Sequence, residues 1–127
     1  MMRRLFLIIA IALVSTPSFS SDLAKGDVLF CTSDFFYGTN VDKADEIKRY
    51  KNESIRLSIS NTAIKFGTSG YFADSEMPIR DFKQWTVTAQ DKYSTFELDA
   101  YQSKISFYYA SANPFGMALM RGSCDKF

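Results

Sequence analysis

The chain predicts a small all-β domain, an antiparallel meander of about eight short strands forming a closed or nearly closed barrel. Three observations lead there. Apolar residues recur at every second position through most of the chain, tight-turn residues separate these runs, and the two cysteines, Cys31 and Cys124, fall in the first and last of them. Strands joined so closely must mostly pair antiparallel, because parallel neighbours need a long crossover. An open meander would leave two exposed edges. A Cys31–Cys124 disulfide would hold the outer strands side by side and so favours closure, with a two-sheet sandwich carrying the same bridge as the alternative.

The start of the chain is read separately. Met1-Met2-Arg3-Arg4 is basic, Leu5 to Val14 is an unbroken run of ten apolar residues, and Ser18 and Ser20 supply the small-x-small spacing of a cleavage site. This is the pattern of a secretory signal peptide over 1–20, preceding a single β-domain over 21–127. Ten helical residues span roughly 15 Å, about half of a bilayer core, so a membrane-spanning helix is disfavoured. No cysteine closely follows the run, so a lipid-modified terminus is not indicated. Removal of the leader lowers the basic count from 15 to 13 against 14 acidic side chains, a net charge of −1. Interspersed, near-neutral charge gives no footprint for nucleic acid. The expected location is periplasmic or secreted, where two cysteines most simply form a disulfide. Closing a loop of 94 residues is worth about 4–5 kcal/mol in the chain-entropy model. No C-x-x-C is present to suggest redox catalysis.

Taken in order, Asp27 to Phe36 reads as the first strand, with Leu29 and Cys31 on one face and Val28 and Phe30 on the other. The triplet Phe35-Phe36-Tyr37 reads as core. Asn40 to Lys51 admits two readings. It is a short helix capped by Asn40, with Asp42, Asp45 and Glu46 early and Lys48, Arg49 and Lys51 late to suit the dipole, or a mobile charged loop. Ile55, Leu57 and Ile59 then alternate with polar residues, Ala63 to Phe66 returns, and Gly67-Thr68-Ser69-Gly70 turns. Tyr71-Phe72 begins another short strand, followed by a polar loop from Ala73 to Pro78. Trp85, Val87 and Ala89 alternate in a further strand, then Phe96 and Leu98, then Ile105, Phe107 and Tyr109. Asn113-Pro114-Phe115-Gly116 is a strong turn signal, and Met117 to Cys124 closes the chain with Ala118, Met120, Gly122 and Cys124 on one face. The expected interior is Leu29 or Phe30, Ile55, Leu57, Ile59, Phe66, Trp85, Phe96, Ile105 and Phe107, bulky enough to fill a barrel of this size and leave no lipocalin-like cavity.

The residue types exclude most catalytic chemistry. The chain has no histidine, which removes the Ser-His-Asp triad, the Cys-His pair and histidine-rich zinc sites together. With both cysteines in a disulfide, soft-metal ligation is not expected, and no cofactor is implied. Paired carboxylates for a glycan hydrolase remain possible in principle, but the acidic residues fall mainly at turns and on outward strand positions. Gly67-Thr68-Ser69-Gly70 lacks the lysine and helix of a phosphate loop.

Binding is what remains. The chain holds twelve Phe, seven Tyr and one Trp, and strand alternation puts Tyr108 opposite in face to Phe107 and Tyr109. Some of Tyr37, Tyr71, Tyr101, Tyr108 and Phe115 should therefore lie outside the core, where tyrosine suits contact surfaces. The candidate binding residues are Thr68, Ser69, Tyr71, Phe72 and Tyr108, and the expected partner is another exported protein or a small ligand, with no catalytic activity. Nothing in the sequence bears on oligomeric state. Ser69-Gly70-Tyr71, together with cysteines in the first and last strands, resembles the small periplasmic barrels that inhibit C-type lysozymes. The resemblance implies an inhibitor of a secreted hydrolase, with Thr68 to Tyr71 as a loop that enters the target's active cleft. It covers one tripeptide and the general architecture; here tyrosine follows glycine directly, and that family's later Trp-containing motif is absent around Trp85.

Overall fold

The computed structural model describes residues 22–40 and 43–127. The expected leader over 1–20 lies outside the described residues. Nine strands follow in order: β1 (Val28–Asn40), β2 (Lys43–Arg49), β3 (Ser54–Ile59), β4 (Ala63–Phe66), β5 (Glu76–Phe82), β6 (Thr86–Gln90), β7 (Ser94–Tyr101), β8 (Lys104–Asn113) and β9 (Gly116–Lys126). Every neighbouring pair is antiparallel, from β1–β3 through β8–β9, and β1 pairs with β9 to close the ring. Eight strands make the barrel, and β2 is an additional strand attached to β1 outside it. The alternative of two stacked sheets does not hold.

Closure occurs where the cysteines sit. Cys31 and Cys124 are direct cross-strand partners on β1 and β9, bonded to each other with Cα atoms 3.9 Å apart. The expected alternation holds on both strands. Leu29 and Cys31 face inward and Phe30 outward, while Ala118, Met120, Gly122 and Cys124 all face the core. At mid-barrel Phe96 and Phe107 stack with centroids 5.6 Å apart and no exposure. Each such side chain contributes about 2–3 kcal/mol of burial relative to an exposed one. The interior is packed side chain, as the bulk of the inward set requires.

Both ends are plugged, and this is where β-periodicity stops being informative. At the end where β1 begins, Leu23 on the preceding segment is buried, and its N–H donates to the Gln84 carbonyl at 2.9 Å. Asp22 secures that segment by accepting from Gln84 Nε2 at 2.7 Å and from Trp85 Nε1 at 3.0 Å. Trp85 is thus not a core residue. The two-residue turn between Lys83 and Thr86 removes Gln84 and Trp85 from the sheet, and the indole is 59% exposed. At the opposite end, Tyr71-Phe72 is not a strand. Residues 67–75 fold back on themselves, with Asp74 N–H donated to Gly67 O at 2.8 Å and Ser75 N–H to Phe72 O at 3.0 Å. The positive φ of Gly70, 87°, makes the bend. Phe72 is thereby driven into the barrel mouth, 6% exposed, stacked on Phe66 at 4.5 Å and edge-on to Tyr109 at 4.7 Å. The stretch read as a polar loop, Ala73 to Pro78, runs instead into β5 from Glu76.

Two further corrections concern the upper half of β1. The helix and the mobile loop expected over Asn40–Lys51 both give way to β2 for the described residues, because the upper half of β1, paired with β9 on one side, has a free edge on the other; Ile47 to Arg49 pair there with Thr39 to Tyr37, and the register is irregular between Ile47 and Lys43. The triplet Phe35-Phe36-Tyr37 divides instead of entering the core together. An irregularity between Ser33 and Phe35 shifts the β1–β9 register by one residue, so Ser33 and Phe36 both face inward, while Phe35 and Tyr37 lie on the outer wall with rings 4.4 Å apart. Buried Ser33 is satisfied by the link between β2 and β3. Its Oγ accepts from Glu53 N–H at 2.7 Å, and its N–H donates to Glu53 O at 2.9 Å.

Candidate functional site: an aromatic cleft above the plugged mouth

Unequal strand lengths create a site. β1, β8 and β9 have 13, 10 and 11 residues, whereas β3, β4 and β6 have 6, 4 and 5. At about 3.3 Å per residue the long strands overhang the short ones by roughly 10–20 Å. The overhang, with β2 on its edge, stands as a flap beyond the Phe72 plug. Its inner face and the plug enclose a cleft of about 420 Å³, open on the side of the short strands. That volume lies within the range of small-ligand sites, which combine apolar walls with a few polar groups.

The walls are aromatic. Phe36 on β1 sits at the back, with Tyr50 at 5.0 Å and Tyr71 at 5.1 Å, edge-on. Gly38 permits the Tyr50 position, since a Cβ there would lie 3.0 Å from the ring and 2.7 Å from the Met117 carbonyl oxygen. Phe115, from the Asn113–Gly116 turn, completes the opening and is 68% exposed. Polar atoms come from Thr39, Lys51, Glu53, Ser111 and Asn113. Lys51 and Glu53 are set there by the β2–β3 link that Ser33 fastens.

Tyr71 is the floor and, among the described residues, the titrating group that is most perturbed. Its pKa is pushed up to about 12, chiefly because partial burial disfavours the phenolate and further because it is hydrogen-bonded to Tyr109, while a hydrogen bond from Ser111 acts in the opposite sense. The hydroxyl consequently stays a hydrogen-bond donor across ordinary pH. Because the folded pKa lies above the unfolded value of 10.0, the stability this group contributes is complete below pH ~10 and is lost as pH rises through ~12. A spectrophotometric titration of tyrosine absorbance should show one component with its midpoint near 12 that vanishes in Tyr71→Phe. A Tyr71→Phe curve identical to the parent would refute the assignment.

The five expected binding residues do not converge. Tyr71 lines the cleft. Phe72 is a core plug and offers no contact surface. Thr68 and Ser69 are exposed at the loop tip but face another concavity, over the outer wall of β1, β3 and β4 beside Arg56 and Lys65. Tyr108 stands on the outer wall of β8, near Phe35 and Arg121. Sequence reasoning missed Phe36, Tyr50, Lys51, Glu53, Ser111 and Asn113 as site residues. Besides Tyr71, the Asn113–Gly116 turn signal and the exposed-aromatic expectation for Phe115 pointed there.

Chemically, the cleft offers aromatic faces, hydroxyls, one amide, one ammonium and one carboxylate. Among the described residues, Glu53 is the sole carboxylate in its lining, and no three His, Cys, Asp or Glu side chains are grouped to hold a metal ion. No helix among them is long and apolar enough to cross a membrane. No protein-family model, curated protein or solved structure matches the chain.

Proposed function

We propose that this protein is an exported, non-enzymatic binding domain whose aromatic cleft seats a small molecule or the protruding tip of a partner protein. The cleft itself carries the reading. It is backed by β1, β8 and β9, is of ligand size, and pairs Phe36 of β1 with Tyr50, Tyr71 and Phe115 from the connecting segments and a sparse polar rim. Pre-organised walls of this kind reduce the ordering cost of binding. A glycoside hydrolase would need a second carboxylate roughly 5–10 Å from Glu53 across the cleft, and the lining supplies none among the described residues. Export is supported by the Cys31–Cys124 bond, which persists in oxidising compartments, and by the leader pattern over 1–20.

Inhibition of a secreted hydrolase by the 68–71 loop is the weaker reading. Phe72 anchors that loop in the barrel and Tyr71 turns toward the cleft, leaving Thr68, Ser69 and Gly70 at the tip.

Protein recovered from its producing cells and examined by native mass spectrometry tests the proposal. A retained small molecule or peptide should be weakened about tenfold or more by Phe115→Ala or Tyr71→Ala, the scale of one lost aromatic contact, and unaffected by Tyr108→Ala. Loss in Tyr108→Ala alone would move the site to the outer wall and overturn the assignment.

A further inference from the structure

We propose a second binding site, for a neutral oligosaccharide, on the outer wall of β6, β7 and β8, where Trp85, Tyr101 and Tyr108 surround Asp99. The four residues line one shallow concavity of about 450 Å³, toward the end of the barrel that Leu23 closes and away from the aromatic cleft. All three rings are exposed, Tyr101 to 73%. Among the described residues no aromatic ring or cation is stacked on any of them. Trp85 is nonetheless held in place. Its Nε1 donates to Asp22 at 3.0 Å, and its carbonyl accepts from Ala100 N–H at 2.8 Å. With its one side-chain polar atom engaged, the indole offers the concavity apolar ring.

Between the rings the floor is polar. Thr86, Asp99 and Ser106 are cross-strand partners in one row over β6, β7 and β8, and all are half-buried. Thr86 Oγ1 donates to Asp99 Oδ1 at 3.2 Å. An ionised carboxylate has about four acceptor sites, so Asp99 keeps capacity for hydroxyl groups of a ligand. Lys104, the register partner of Tyr101, adds donors at the rim. The turn that joins these two holds Gln102 and Ser103 at φ of 48° and 67°, the left-handed geometry of a tight two-residue hairpin. Among the described residues neither Asp99 nor Lys104 is in an ion pair. The lining therefore carries one charge of each sign and sums to zero.

This chemistry matches a sugar more closely than a protein or a free ion. A pyranose ring with equatorial hydroxyls has apolar C–H faces that pack on aromatic rings, and an edge of hydroxyls that both donate and accept. The three rings are separated by polar side chains, whereas a protein interface is marked by a contiguous apolar patch. A lining of zero net charge gives a free ion no preference. Spacing sets the size of the ligand. Tyr108 stands level with Glu97, four residues before Tyr101 on β7, which places the two tyrosines about 13 Å apart along the wall. A single sugar ring cannot touch both, but a short chain of them can.

Trp85 is the only tryptophan in the sequence, so tryptophan fluorescence reports on this site directly. Cellotetraose or chitotetraose, titrated to millimolar concentration into protein purified from its producing cells, should protect Trp85 saturably from acrylamide quenching. Asp99→Asn and Tyr101→Ala should each weaken that binding about tenfold or more, the scale of one lost ligand contact. Phe115→Ala, in the cleft, should leave it unchanged. If neither sugar protects Trp85, if a folded Asp99→Asn or Tyr101→Ala binds as the parent does, or if Phe115→Ala abolishes protection, the proposal is overturned. Should Asp99→Asn fail to fold, Tyr101→Ala decides, because its side chain is exposed and removing it disturbs no ring packing.

Discussion

Gly122→Ala is expected to cost more than about 4 kcal/mol, beyond the usual range for a single substitution and close to the whole stability of a small domain. Gly122 faces inward on β9 opposite the irregularity in β1. A Cβ there would lie 2.0 Å from the Thr32 carbonyl oxygen, 2.6 Å from Phe107 Cε1 and 2.7 Å from Ser33 Cα. Two of these three atoms are backbone and the third belongs to a fully buried ring, so none can withdraw cheaply. The clash falls on the β1–β9 seam, the pairing that converts the meander into a barrel. Urea unfolding should show a much lower midpoint or no folded baseline. A midpoint within experimental error of the parent would mean that the seam does not close as described.

Removal of the Cys31–Cys124 bond is the second large effect. The cross-link spans a separation of 93 residues, and loss of such a bond from a small domain costs about 2–5 kcal/mol, which corresponds to a fall in Tm of roughly 10–25 °C. Cys31→Ser/Cys124→Ser should show this fall, and the parent under full reduction should match it. The folded double variant should keep the same strand content, because β1–β9 backbone pairing extends from Leu29 to Gly38 and does not depend on the sulfur atoms. An unchanged Tm would assign the clasp no thermodynamic role.

What the sequence made legible was the parity of strand positions. Ile55/Leu57/Ile59, Phe96/Leu98 and Ile105/Phe107/Tyr109 all enter the core as alternation requires, and the cysteines identify the strands that meet. The failures share a physical cause, which is that parity is interrupted by events that hydropathy does not encode. The irregularity at Asp34 reverses the faces of Phe35, Phe36 and Tyr37 through one extra backbone position. Trp85 satisfies the pattern of the strand that follows but lies in its turn, where Asp22 accepts its N–H. Phe72 reaches the core from a loop. Lys43–Arg49 carries the charge order of a capped helix, yet the edge of upper β1 that faces away from β9 offers it a ladder, and tertiary pairing overrides local preference. The cleft depends on all of these, since it needs the overhang of β1, β8 and β9, the inward Phe36 and the Phe72 plug beneath Tyr71. A reading confined to strand alternation could identify Tyr71 and Phe115 as outside the core without placing them together.

The most direct test of the cleft is backbone amide chemical-shift mapping by NMR, with the molecule or peptide that co-purifies with the protein added back to ligand-free sample. Shifts confined to Lys51, Glu53, Tyr71, Ser111, Asn113 and Phe115 are the predicted result. Shifts centred on Tyr108, Phe35 and Arg121, with those cleft amides unmoved, would contradict the account.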